Sequence, residues 1–155
     1  MKSKQVQIGS WSEGTCKTED ILDAALDCLR SLDPALADGY QKMLDDNEQD
    51  SQEHAPDEDF RDSECASEIL QEIEAKISDL LPPYLYWGAH EGDGAYFGVW
   101  VSHESIQDDI RSKELRSGED FPDVVEGTFL HVSDHGNLEL YAAENGKWVS
   151  LWSCV

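Results

Sequence analysis

Apolar positions in the first eighty residues recur with helical period. Ile21, Leu22, Ala25, Leu26, Leu29 and Leu32 mark one stripe. Thr18 reads as its N-cap, and Glu19 and Asp20 suit the positive end of a helix. Asp33-Pro34 restarts the pattern, with Asp as N-cap and Pro at the first helical position. Ala35, Leu36, Tyr40, Met43 and Leu44 give this second helix a weaker stripe. The cleanest stripe is the third: Ile69, Leu70, Ile73, Ile77, Leu80 and Leu81, capped by Ser63 and ended by Pro82-Pro83.

The period then changes to two. Strands are predicted at about 84–89 and 95–101, joined by a Gly-rich turn. Ser102 caps a short helix carrying Ile106 and Ile110, and 111–125 reads as a polar connection. The runs 128–132, 138–142 and 148–155 form a meander, with Asn145-Gly146 as a two-residue hairpin turn. Strict alternation in the last run puts Trp148, Ser150, Trp152 and Cys154 on one face. A further short strand is predicted at Gln5-Val6-Gln7-Ile8, with a loop from Gly9 to Gly14. The expected fold is one α+β domain over 1–155. An antiparallel sheet of about five strands, the 84–101 hairpin plus the meander, is covered by the N-terminal helices. The helical acidic front spans 17–81 and the sheet-rich part 82–155.

Between the second and third stripes, ten of the twenty residues at 45–64 are acids and only Arg61 is basic. This stretch is expected to be a flexible acidic loop, or a helix end that runs out into one. The whole chain has 34 acids against 11 Lys and Arg, a formal charge of −23. Such a charge disfavours direct binding to nucleic acid or an anionic membrane, which need Lys and Arg. It favours basic partners. Carboxylates spaced along helices and loops can imitate the phosphates of a duplex and occupy a basic groove. The acids assigned to that role are Asp45, Asp46, Glu48, Asp50, Asp57, Glu58, Asp59 and Asp62.

Cys16, Cys28, Cys65 and Cys154 form no CxxC pair. With no signal peptide and no apolar span, they read as free thiols of a cytoplasmic protein. Cys28 and Cys65 are expected on apolar helix faces. His90-Glu91-Gly92-Asp93-Gly94 places a histidine and two carboxylates on one loop, the chemistry of a metal site or proton shuttle. The same residues suit a hairpin turn, with Gly92 and Gly94 supplying positive φ. His131, Asp134 and His135 carry the same two readings. Were both loops on one sheet edge, His90, Asp93, His131 and His135 could form a single metal site. Nucleophile elbows, phosphate loops and dinucleotide fingerprints do not occur, and no cofactor is implied. The aromatics Tyr84, Tyr86, Trp87, Tyr96, Phe97 and Trp100 serve either the core or a protein-binding hot spot.

Two segments carry a resemblance: Gly88-Ala89-His90-Glu91-Gly92-Asp93-Gly94-Ala95-Tyr96-Phe97-Gly98-Val99-Trp100, and Val132-Ser133-Asp134-His135-Gly136-Asn137-Leu138-Glu139-Leu140-Tyr141 with the closing Trp152-Ser153-Cys154-Val155. They resemble small acidic proteins carried by phages and plasmids, which have no assigned activity. That setting is similar to the setting of anti-CRISPR and anti-restriction inhibitors that mimic DNA. The acidic surface and this setting together point to a non-enzymatic inhibitor of a basic, nucleic-acid-binding host defence protein, such as a CRISPR effector or restriction enzyme. The alternatives are a metal-dependent enzyme or metal-binding module on the His/Asp loops, and a plain protein–protein adaptor.

Overall fold

Helix α1 (Thr18–Leu32) anchors one of two units in a computed structural model that describes residues 6–154. It packs against both α2 (Pro34–His54) and α3 (Glu64–Leu80). Because it has neighbours on two sides, seven of its residues are buried, among them Leu22, Ala25, Cys28 and Leu29, which have no exposed surface. Each buried Leu or Ile here contributes about 1.5–3 kcal/mol. Asp33 caps α2 through Leu36 N–H at 3.1 Å, and Ser63 caps α3 through Ala66 N–H at 3.2 Å, both as expected from sequence. Helix α1 begins one residue earlier than its predicted cap allows. Lys17 is the capping position and its side chain makes no capping bond, while the Thr15 hydroxyl accepts from Lys17 N–H and donates to Asp20.

The stretch 45–64 is mostly helical. Helix α2 continues to His54, and Phe60–Asp62 forms a 3-10 turn. Phe60 explains the order, since it is buried in an otherwise acidic segment. Arg61 adds to it by reaching Asp23 at 2.9 Å and Glu48 at 3.6 Å.

The same unit holds a three-stranded sheet in the order β1 (Gly9–Ser12), β3 (Asp93–Val101), β2 (Leu85–His90), the end residues Leu85 and Val101 apart. Strand β1 lies where a loop was predicted. Residues 6–8 form no strand, and Gln5 falls outside the described residues. The pairing Ser10 with Gly98 is close. A Cβ on Gly98 would sit 2.1 Å from the Gly9 carbonyl oxygen.

The second unit takes residues 6–8, 82–85 and 101–154. Its sheet has the order β4 (Arg116–Gly118), β5 (Thr128–Val132), β6 (Leu138–Glu144), β7 (Lys147–Cys154), with β4 parallel to β5 and the rest antiparallel. The fold class is α+β, as expected. The single five-stranded sheet is not what forms. Among the described residues there are two sheets, of three and four strands, with β1 added to the hairpin and β4 added to the meander. Helix α4 (His103–Arg111) buries Ile106 against Leu115, Leu130, Leu140 and Trp152. The Asn145-Gly146 turn has both residues at positive φ, 51° and 76°, which matches a two-residue hairpin.

Strand β7 departs from strict alternation. Tyr141 pairs with Ser150 and Leu140 with Trp152, so Leu151 is an extra residue in a β-bulge. Trp148 and Trp152 therefore lie on opposite faces, not on one. Trp152 and Cys154 join the core, and Trp148 joins the outer face with Phe129 and Tyr141.

Candidate functional site

Helices α2 and α3 present carboxylates at helical spacing. On α2, Asp46, Asp50 and Glu53 recur at i, i+4 and i+7 and share one face. Their axial separations are about 6 Å and about 4.5 Å at the rise of an α-helix. On α3, Glu64, Glu68 and Glu72 form a second row, and all six are exposed. The unit containing these helices holds 23 of the 34 acids and only five of the 11 Lys and Arg. Two of those five are ion-paired with acids, Arg30 with Asp27 and Asp38 and Arg61 with Asp23 and Glu48.

The acids chosen from sequence divide accordingly. Asp45, Asp46, Asp50, Asp57, Glu58, Asp59 and Asp62 are exposed. Glu48 is half-buried beside Arg61. Asp45 accepts from the Gln41 amide at 3.0 Å, and Asp59 accepts from Arg61 N–H, which spends one oxygen on the 3-10 turn. The row on α3 was not singled out from sequence, because its acids sit among the apolar positions that define the helix.

A cleft of about 430 Å³ opens in the same unit, lined by Ser10, Glu13, His90, Asp93, Tyr96 and Trp100. Strand β3 supplies Asp93, Tyr96 and Trp100, β2 supplies His90, and β1 with the residue after it supplies Ser10 and Glu13. The Trp100 Nε1 donates to the Gly88 carbonyl at 2.9 Å, which fixes the indole. The His90 ring meets Trp100 edge-on, with centroids 4.6 Å apart. Gly92 N–H donates to His90 Nδ1 at 3.0 Å, so the ring carries its proton on Nε2. Asp93 Oδ1 accepts from Ala95 N–H at 3.0 Å, and Ser10 Oγ donates to Glu13 Oε1. Each carboxylate keeps a second oxygen outside these bonds. The turn itself does not use positive φ at Gly92 or Gly94, contrary to expectation. The side chains of His90 and Asp93 close it instead, by accepting from the backbone.

The four residues of the metal alternative divide between the two units. His90 and Asp93 belong to the helical unit, and His131 and His135 to the other. His131 stacks on Phe121 with centroids 5.3 Å apart and planes at 9°, while His135 is exposed beside Asp134 at 3.7 Å. Among the described residues, one group of three side chains could reach a common ion, the exposed Asp50, Glu53 and His54. None of His90, Asp93, His131 and His135 belongs to it.

Two of the expected aromatics are tied into the fold by hydrogen bonds. Trp87 is buried and donates to Glu74 at 2.8 Å, and Tyr84 donates to Asp109 at 2.6 Å. A separate aromatic cluster lies on the outer face of the four-stranded sheet. Phe121 rests on Phe129, His131, Tyr141 and Trp148 with centroids 5.0–6.3 Å apart. No periodic pattern marks Phe121, which lies in an irregular connection. Of the four free thiols, Cys28 is buried and pushed up to about 12 by desolvation, Cys154 packs against the core, and Cys16 and Cys65 are exposed. Cys65 was expected on an apolar face, but the buried stripe of α3 begins at Ala66.

No described helix is long and apolar enough to cross a membrane. Compared with protein family models, curated proteins and solved structures, the chain gives no match.

Proposed function

We propose that this chain is a non-enzymatic binding protein that occupies the nucleic-acid groove of a basic protein in the cytoplasm of a bacterial host. The observation that carries the reading is the helical ordering of the acidic segment. Asp46, Asp50 and Glu53 on α2, and Glu64, Glu68 and Glu72 on α3, are exposed rows on rigid elements. Fixed rows of charge suit a groove built for phosphates, since little side-chain and backbone order remains to be gained on binding. The excess of 23 acids over five Lys and Arg in the same unit leaves that field nearly uncompensated. Together with the resemblance to small acidic proteins of phages and plasmids, this makes a CRISPR effector or restriction enzyme the first partner to test.

The test is competition. Binding to such an enzyme should be displaced by duplex DNA and should weaken steeply between low and high salt. Asp46→Lys, Asp50→Lys and Glu53→Lys together should abolish it while leaving the circular dichroism spectrum unchanged. Binding that persists in excess DNA, or that is indifferent to salt and to these reversals, would overturn the reading.

A further inference from the structure

We infer that the cleft between Glu13, Asp93, Tyr96 and Trp100 receives an arginine side chain of the partner. This rests on the reading of a basic protein partner and names the contact that would anchor it. The chemistry of the lining leaves few classes of ligand. Two carboxylates repel an anion. A metal ion needs ligating atoms gathered around one point, and among the described residues no such group includes Glu13, His90 or Asp93. A wholly apolar ligand would strand two carboxylates away from water.

A planar cation suits the two carboxylates and the two aromatic rings of this lining. A guanidinium stacks on or lies over Trp and Tyr rings and forks its N–H groups to carboxylates. Here the Trp100 N–H is already committed to Gly88, so the indole offers its π surface and not a competing donor. Glu13 and Asp93 each have one oxygen held by Ser10 and Ala95, which fixes the carboxylates while leaving the second oxygen of each to accept. Among the described residues, no Lys or Arg lines the cleft and neither carboxylate makes an ion pair. Among the described residues the site is thus electrostatically incomplete. A lysine ammonium would find the same charges but would lack the planar stack and the fork.

The probe is N-acetyl-arginine amide, titrated into the full chain and followed by two-dimensional NMR. Shifts are expected at the Trp100 indole N–H and at the backbone of 90–100, with a Kd of about millimolar for a ligand of this size. The isosteric but neutral citrulline amide should cause none of them. The lysine amide should bind more weakly than the arginine amide. Glu13→Gln with Asp93→Asn keeps both oxygen acceptors and should weaken arginine binding by about tenfold or more. Absence of shifts at Trp100 with the arginine amide, or equal shifts with citrulline, overturns the inference without recourse to any variant. The two readings can fail separately. If a basic nuclease is held through the α2 row while the arginine amide leaves the cleft unshifted, the surface reading stands and the cleft assignment falls. If the arginine amide fills the cleft while no basic nuclease binds, the cleft stands as a guanidinium site and the competitive role falls.

Discussion

The indole Nε1 of Trp87 donates to Glu74 Oε2 at 2.8 Å and joins the hairpin to helix α3. Burial raises the Glu74 carboxyl above its ordinary value of 4.5, and the Trp87 bond offsets only part of that. A carboxyl raised on folding stabilises the native state below its unfolded value. That contribution is lost as the pH rises through the raised value. Glu74→Gln keeps an acceptor for Trp87 and removes the ionisation. Relative to the parent, it should therefore gain stability between acidic and neutral pH. Glu74→Ala should cost about 1–3 kcal/mol at every pH, because it orphans the indole N–H. Denaturant midpoints measured across pH 3.5–7.5 check both.

Gly98 offers a steric test of the hairpin edge. A Cβ there would meet the Gly9 carbonyl oxygen at 2.1 Å, and backbone cannot swing aside as a flexible side chain can. Gly98→Ala should destabilise by about 2 kcal/mol or more and release β1. Gly88→Ala is the control, since its Cβ meets only the Tyr86 ring at 3.8 Å. Thermal melts, with amide exchange of residues 9–12, should separate the two.

Two tryptophans of β7 should respond differently to the same change. Trp152 is fully buried and its Nε1 donates to the Pro83 carbonyl at 2.8 Å. Trp148 Nε1 is buried with no hydrogen-bond partner. Trp152→Phe should cost about 2 kcal/mol or more through a cavity and an unpaired carbonyl. Trp148→Phe removes an unsatisfied donor and should fall within about 1 kcal/mol of the parent. Urea unfolding followed by far-ultraviolet circular dichroism measures both. Equal costs would contradict the face assignment.

Alkaline titration addresses the tyrosines. Tyr84 and Tyr141 are each pushed up to about 12, first by desolvation and then by hydrogen bonds to Asp109 and Glu139. Their stabilising contributions are full below the ordinary value of 10.0 and are lost as the pH rises toward 12. Absorbance near 295 nm should show a late-titrating class. Tyr84→Phe and Tyr141→Phe should each remove one member of it.

The helices were legible because each one combines a local cap with a long stripe. Asp33 and Ser63 accept from the N–H groups three residues on, as their sequence context implies. The sheets were less legible. Gly9–Ser12 reads Gly-Ser-Trp-Ser, with no apolar alternation, and is a strand only because Gly98 lets it approach. Arg116–Gly118 is likewise a strand through its partner β5 and not through its own residues. The bulge at Leu151 reversed the face of every later side chain in β7, and no local composition signals it. The cleft was half legible. His90 and Asp93 stand out in sequence, but Glu13 joins them only through the pairing of β1 with β3.

The path of the chain has a consequence for recombination. It passes between the two units at 8/9, 81/82, 85/86 and 100/101. Pro82-Pro83 is an inviting seam, because helices precede it and strands follow. A crossover placed there would trade away the hairpin to which β1 is zipped, along with Trp87, the partner of Glu74. The acidic helices can be exchanged as a cassette only if residues 86–100 travel with them. Change in the acidic helices is thus channelled into point substitutions at exposed positions rather than into wholesale swaps.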